Sequence, residues 1–179
     1  MNYRLFLAIP LSSEHIHNIS GLSKSSEIKG VRWTKEENLH ITLLFLSNIR
    51  EEDLSSLISK LKDLEKNESF NLEFENLIFA PPGQIPPRMI WLKLKNSAFF
   101  DRLAINAYHL SKAFTKIDQP RRNSIHITLA RLKPYANWKK VNLSNFKLET
   151  IRVKKIELIS STLTPQGPIY SKMAEFKLN

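Results

Sequence analysis

"HITLLFL" at residues 40–46 and "HITLARL" at residues 126–132 share their first four letters, and each opens on a histidine. Short runs rich in branched apolar residues read as strands. On a regular strand alternate side chains share a face. His40 and Thr42 then stand with Leu44, leaving Ile41, Leu43 and Phe45 on the other side, and His126 and Thr128 stand with Ala130. Each strand buries one branched row and shows an imidazole beside a hydroxyl.

The surroundings of the two strands also recur. "RLFLAI" (4–9) is a strand closed by Pro10, and Ser12 or Ser13 caps a helix carrying Ile16 and Ile19 on one face. "MIWLKL" (89–94) and an amphipathic helix over 97–114, through Phe100, Leu103, Ala104, Ala107, Leu110 and Phe114, lead in the same way to the second histidine. Between them lie a helix over 51–66, with Leu54, Leu57, Ile58, Leu61 and Leu64 in register and acids in its first turn, and a strand over 70–79. "APPGQIPPR" (80–88), with four prolines and a glycine, is an irregular connection and the candidate lobe boundary. "IRVKKIELI" (151–159) and "IYSKMAEFKL" (169–178) are further strands.

Strand, helix and histidine strand therefore occur twice, which places the histidines at equivalent points about a pseudo-twofold axis. The expected fold is α+β and bilobal: two antiparallel sheets related by that axis, flanking helices and a central cleft. One domain spans 1–179, with lobes of about 1–80 and 88–179 whose termini are free to cross. Only four glycines exist, none in a glycine-rich turn after a strand, which argues against a dinucleotide fold or a phosphate-cradling P-loop.

At 179 residues and 42% hydrophobic content the chain suits one compact unit. Lysine and arginine number 27 against 17 acids, and Arg121 to Lys155 holds ten basic residues and one acid, Glu149. Such a field attracts polyanions in a salt-dependent way; a solubilising surface is the plain alternative. There is no cysteine, so disulfides and thiolate metal sites are unavailable and a cytoplasmic location is expected. "MNYRLFLAIPL" has too short an apolar run and no small-residue cleavage site for a signal sequence, and nothing approaches the ~20 residues of a membrane span.

If the polar rows of the two strands face each other, two imidazoles and two hydroxyls converge on one small group. A histidine of ordinary pKa ~6.5 serves as base or acid near neutrality, and hydroxyls donate hydrogen bonds to phosphate oxygens. That combination suits hydrolysis of a cyclic phosphodiester: a neutral histidine takes a proton from the attacking water and a protonated one supplies the leaving oxygen, each step worth ~10²- to 10⁴-fold. Arg131 is the nearest cation for the developing charge. Five places after His126, it falls on the opposite face of a regular strand and serves only if the strand ends or bulges near Ala130. For either strand alone, a packing histidine beside ordinary β-formers is the plainer reading; the pairing and the basic surroundings favour a site. His15 and His17 sit on different faces of one helix, His109 has no acid at ligand spacing, and neither HExxH nor G-x-S-x-G occurs, so no metal or cofactor is called for.

The chain resembles the two-histidine phosphoesterases, and within them the bacterial and archaeal RNA 2′,3′-cyclic phosphodiesterases long called 2′-5′ RNA ligases. The likeness is carried by "RLFLAIPL", "GVRWTKEENLHITLLFL", "PPRMIWLKL", "HITLARL" and "STLTPQGPIY", nearly end to end. It implies a bilobal fold and metal-independent opening of a terminal 2′,3′-cyclic phosphate to a 2′-phosphate. His40 is then the general acid toward the 3′ oxygen and His126 the base that activates water. Thr42, Thr128 and Arg131 fall on phosphate-holding positions, and Tyr170 and Arg32 lie in matching flanks as further substrate contacts. The family's common proline before the second histidine is here Ile125. "QPRRNS" (119–124) offers Arg121 or Arg122 to an RNA backbone, or is a solvated loop. The expected partners are RNA ends bearing a cyclic phosphate, tRNA fragments among them, with no membrane, no metal and a monomeric chain; weak 2′-5′ joining is a companion activity. The competing readings are an RNA-end-binding module without turnover and a cyclic phosphodiesterase acting on small nucleotides.

Overall fold

The computed structural model describes residues 2–24, 28–117, 124–143, 146–165 and 167–179. Among these described residues three α-helices, α1 (Ser13–Lys24), α2 (Leu54–Leu61) and α3 (Ala98–Ser111), accompany ten strands: β1 (Asn2–Pro10), β2 (Val31–Trp33), β3 (His40–Arg50), β4 (Phe70–Leu72), β5 (Phe74–Ala80), β6 (Met89–Leu94), β7 (His126–Leu132), β8 (Ile151–Val153), β9 (Lys155–Thr164) and β10 (Gly167–Lys177). Eight strands form one antiparallel sheet in the order β10-β9-β1-β3-β7-β6-β5, with β2 beside β7; β4 and β8 form a separate pair. The α+β class is thus as the sequence predicts.

The histidine strands lie side by side at the centre. Each is followed outward by the strand that precedes it in the duplicated unit, β1 or β6, and then by an exchanged strand. β5, from the first half of the chain, lies beside β6, and β9 and β10, from its end, lie beside β1. Two expected single strands are each divided. The run at 70–79 changes sheet at Glu73 and the run at 151–159 at Lys154, whose carbonyls accept the Lys95 and Leu178 N–H groups. The short β2 has no signal of its own in the sequence.

The core lies on one face of the sheet. Leu5, Leu7, Ile9, Ile41, Leu46, Ile90, Leu92 and Ile127 pack there with Leu57, Leu61 and Leu64 of the second helical segment and with Leu103 and Ala107 of α3, all essentially without solvent contact. Each such aliphatic side chain contributes on the order of 1.5–3 kcal/mol by leaving water. Serines cap two of the helices: Ser12 Oγ accepts from the His15 N–H before α1, and Ser97 Oγ from the Phe100 N–H at α3. Phe6 and Ala8 of β1, with Ile159 and Tyr170, form a small cluster on the opposite face. That face carries the polar rows. β9 pairs with β1 only over Glu157–Ser160; beyond it the β9–β10 hairpin pairs with itself, and its tip reaches the segment before β3, where Asn38 Nδ2 donates to the Pro168 carbonyl.

Candidate active site

β3 and β7 meet at a single antiparallel pair, Ile41↔Ile127. Both isoleucines are buried in the core, so the residues flanking them, His40, Thr42, His126 and Thr128, stand on the other face around the crossing, each half-buried. The pairing that the sequence leaves to tertiary structure is thus made through the apolar residue at the centre of each repeat.

Just beyond the crossing the alternation breaks in both strands at the same place. β1 pairs Ala8 with Thr42 and Leu7 with Leu44, passing over Leu43; β6 pairs Trp91 with Thr128 and Ile90 with Ala130, passing over Leu129. Each extra residue is a β-bulge, which reverses the facing of the residues that follow it, in β3 as far as a second bulge where β1 passes over Leu46. Leu43 and Leu44 are both buried while Phe45 is 63% exposed, and Leu129 and Ala130 are both buried while Arg131 is exposed. This corrects the expectation from a regular strand, which set Leu44 and Ala130 on the polar face and Phe45 on the buried one. Arg131 joins the face of His126 and Thr128. Phe45 joins that of His40, and the Phe6 ring touches both, with centroids 6.0 Å from Phe45 and 5.0 Å from His40.

The two imidazoles are held alike. His40 Nδ1 lies 2.8 Å from the Asn38 carbonyl oxygen and His126 Nδ1 lies 2.7 Å from that of Ser124, in each case two residues upstream. A carbonyl only accepts, so Nδ1 carries the proton and each Nε2 is left to accept or, once protonated, to donate. His40 Nε2 is 3.1 Å from Thr42 Oγ1. Ile125, standing where the family commonly has proline, is buried and its carbonyl accepts the Leu94 N–H at 2.8 Å, so the entry to β7 is anchored.

Their surroundings differ. His40 packs on Phe6 and edge-on to Tyr170, 5.5 Å between centroids, whereas His126 is stacked on Trp91 at 3.8 Å and 15°. Burial lowers the pKa of His40, and the charge of His126 lowers it further against the opposing Asn38 hydrogen bond. Burial likewise lowers that of His126, against the bond to Ser124. The two rings flank the single Ile41↔Ile127 pair, which sets them on neighbouring strands. Burial raises the Tyr170 hydroxyl pKa, against the positive charges of Arg131 and Arg4.

Arg32, on β2, is directly opposite Arg131. Its guanidinium lies against Gly167 at the hairpin tip, where a Cβ would come within 2.8 Å of it; the φ of +128° there also favours glycine. The structure therefore gathers all seven residues singled out in the sequence along one face. It adds Arg4, Phe6, Phe45 and Trp91, which periodicity did not mark: β1 and β6 read as apolar runs, and Phe45 lies beyond the bulge. Arg121 and Arg122 lie outside the described residues. His15 hydrogen-bonds Ser12 at the start of α1, and His109 packs edge-on against Tyr108. A depression of about 260 Å³ between Phe70, Phe99, Arg102 and Asn106 shares no residue with the histidine group.

Comparison with known proteins accords with this arrangement. The profile of the LigT like phosphoesterases matches residues 9–91 and 99–170, both histidine strands included. The chain belongs to that family. Among LigT like relatives, the RNA 2′,3′-cyclic phosphodiesterase of Methanothermobacter thermautotrophicus is 32% identical, over 99% of this chain and 100% of its own length. That of Archaeoglobus fulgidus is 31% identical, over 97% and 99%. Of solved structures, a protein of Thermus thermophilus superposes with a TM-score of 0.81 at 28% identity, covering 98% of this chain and 97% of that one. E. coli LigT complexed with phosphate gives 0.76 at 21% identity, over 99% and 98%, a likeness of fold.

Proposed function

We propose that this protein opens the 2′,3′-cyclic phosphate at the end of an RNA, leaving a 2′-phosphate, by histidine acid and base catalysis that calls on no metal ion. The observation that supports the reading is the face built around Ile41↔Ile127, shared by two imidazoles whose Nδ1 atoms are taken up by carbonyls, two threonine hydroxyls and an arginine. The names of the full-length relatives supply the substrate class.

In this mechanism neutral His126 takes a proton from water through Nε2 as the water oxygen attacks phosphorus. The phosphorus–O3′ bond breaks in line with the attack, and His40, protonated, gives its Nε2 proton to O3′. Thr42 and Thr128 donate to the non-bridging oxygens, while Arg131, with Arg32 and Tyr170 beside it, meets the charge that accumulates on them. Trp91, stacked on His126, presents a π face to the imidazolium formed by proton uptake. A 5′-hydroxyl in place of water gives a 2′-5′ linkage, so weak joining of RNA ends accompanies hydrolysis.

The test is incubation of a short RNA ending in 2′,3′-cyclic phosphate with the protein, followed by assignment of the product phosphate. A 2′-phosphate is expected. A cyclic phosphate that persists while the RNA binds would instead mark an RNA-end-binding module, and a 3′-phosphate would reverse the leaving group assigned here.

A further inference from the structure

We propose that the RNA strand leading up to the cyclic phosphate lies along the end of the sheet built by β2 and β7, its backbone on Arg32 and Lys133 and one of its bases on Tyr135. This rests on the function proposed above and adds the direction and footing of the polymer.

Arg32 and Arg131 are paired directly across β2 and β7, both exposed, and like charges so placed repel each other. Lys133 continues the row: Arg131 and Lys133 are exposed on either side of buried Leu132. Among the described residues none of the three makes an ion pair with a carboxylate. Around Arg131 and Lys133 the sequence offers no local partner, since 77–100 and 119–148 contain neither aspartate nor glutamate, and Glu37, five residues after Arg32, pairs with Lys35. A merely solubilising surface carries interspersed charges of both signs, whereas here one sign runs in file from the histidine site.

The row ends on an aromatic ring. Tyr135 is 63% exposed and Lys133 Nζ stands 5.8 Å from its centroid. The loop is fixed in place: the Lys133 N–H donates to the Gly30 carbonyl, and Gly30, at φ +87°, has no Cβ where one would come within 3.1 Å of Tyr135 and 2.9 Å of Ala136. Cations along a backbone path with an aromatic face for a base are the means by which single-stranded nucleic acid is held without sequence preference. At about 3.3 Å per residue Lys133 lies up to roughly 16 Å along the chain from Thr128, within reach of the nucleotides just upstream of the terminal one.

The pseudo-symmetric counterpart gives the direction. β3 leads from its histidine past Phe45 to Glu51, Glu52 and Asp53, of which Arg50 pairs with Glu52 and Asp53; three acids against one arginine leave that end net negative, whereas the β7 end is wholly cationic and is the favourable exit for a phosphodiester chain.

Two binding constants test this, measured by anisotropy for an RNA octamer ending in a 2′-phosphate and by its displacement with a mononucleoside 2′-phosphate. Tyr135→Ala should weaken the octamer about 5- to 100-fold, the range of one lost base stack. Lys133→Gln should reduce the slope of log affinity against log salt by about 0.7, one phosphate contact on a single strand. Neither should change mononucleotide affinity more than about twofold. Octamer binding unchanged in both variants, or an equal loss for the mononucleotide, would overturn the proposal. Neither measurement requires ring opening, so they decide the path even if a separate assay shows the wild-type protein to leave the cyclic phosphate closed.

Discussion

β3 and β7 are the same strand written twice up to the bulge and different strands after it. Both begin with a histidine whose Nδ1 faces the carbonyl two residues back, both bury an isoleucine at the crossing, and both insert one extra leucine before turning a side chain outward. That side chain is Phe45 in the first and Arg131 in the second. The shared half sets two like imidazole and hydroxyl pairs on one face of the sheet, where the proposed mechanism places the phosphorus centre. The divergent half makes its two sides unequal, apolar beside His40 and cationic beyond His126, an asymmetry that the proposed division of acid and base between the two histidines draws on.

The comparison breaks most sharply at the histidines. His40→Ala and His126→Ala should each lower kcat for cyclic-phosphate opening by ~10²- to 10⁴-fold. A substrate with sulfur in place of O3′ needs no proton on its leaving group, so it should restore His40→Ala and leave His126→Ala impaired; equal rescue of both would erase the assignment. Next in size is the divergent position. Arg131→Ala removes the cation that the proposed mechanism sets against the transition-state charge, with an expected loss of about 10²-fold in kcat, and Arg131→Lys should recover only part because a lysine lacks the bidentate fork.

Trp91 is the flat partner of His126, where His40 has Phe6 and an edge-on Tyr170. Trp91→Leu should lower kcat by about tenfold with little change in KM, and Trp91→Phe, which keeps a flat ring, should regain most of it. A KM effect without a kcat effect would show that the indole does not act through the histidine.

The bulge itself predicts a contrast in stability. Leu44 is 7% exposed and Phe45 63%. Leu44→Ala should therefore cost about 2–5 kcal/mol in denaturant unfolding and Phe45→Ala no more than about 0.5 kcal/mol; a regular strand would reverse the two.

The smallest expected effect is in the pH profile. Burial sets both imidazoles below 6.5, so in the free protein His40 loses its proton as pH rises through a value below the ordinary one. The alkaline limb of kcat/KM should fall below pH 6.5. Bound phosphate favours the imidazolium, so the same limb in kcat should lie at higher pH. Coincident limbs would mean that substrate charge does not reach His40.

Much of this was legible in the sequence. The repeated His-x-Thr, the strand and helix that precede each, and the serine cap of the first helix are local patterns, set by side-chain periodicity and by hydrogen bonds within a few residues. Three features were not legible. Arg131 and Phe45 change face because the neighbouring strands skip Leu129 and Leu43, and nothing within "HITLARL" or "HITLLFL" records what β6 and β1 do beside them. Trp91 and Arg4 lie in runs that read as apolar strands, where the face each side chain takes depends on which side the sheet buries. Arg32 comes beside Arg131 through β2, too short to declare itself.

By itself, then, the sequence determined which groups are available for the chemistry and the repeat that makes them a pair, since composition and period are properties of the chain. Only the tertiary structure decided that the pair meets at Ile41 and Ile127 and that an arginine faces it, because strand pairing and bulges arise from hydrogen bonds between segments far apart in the chain.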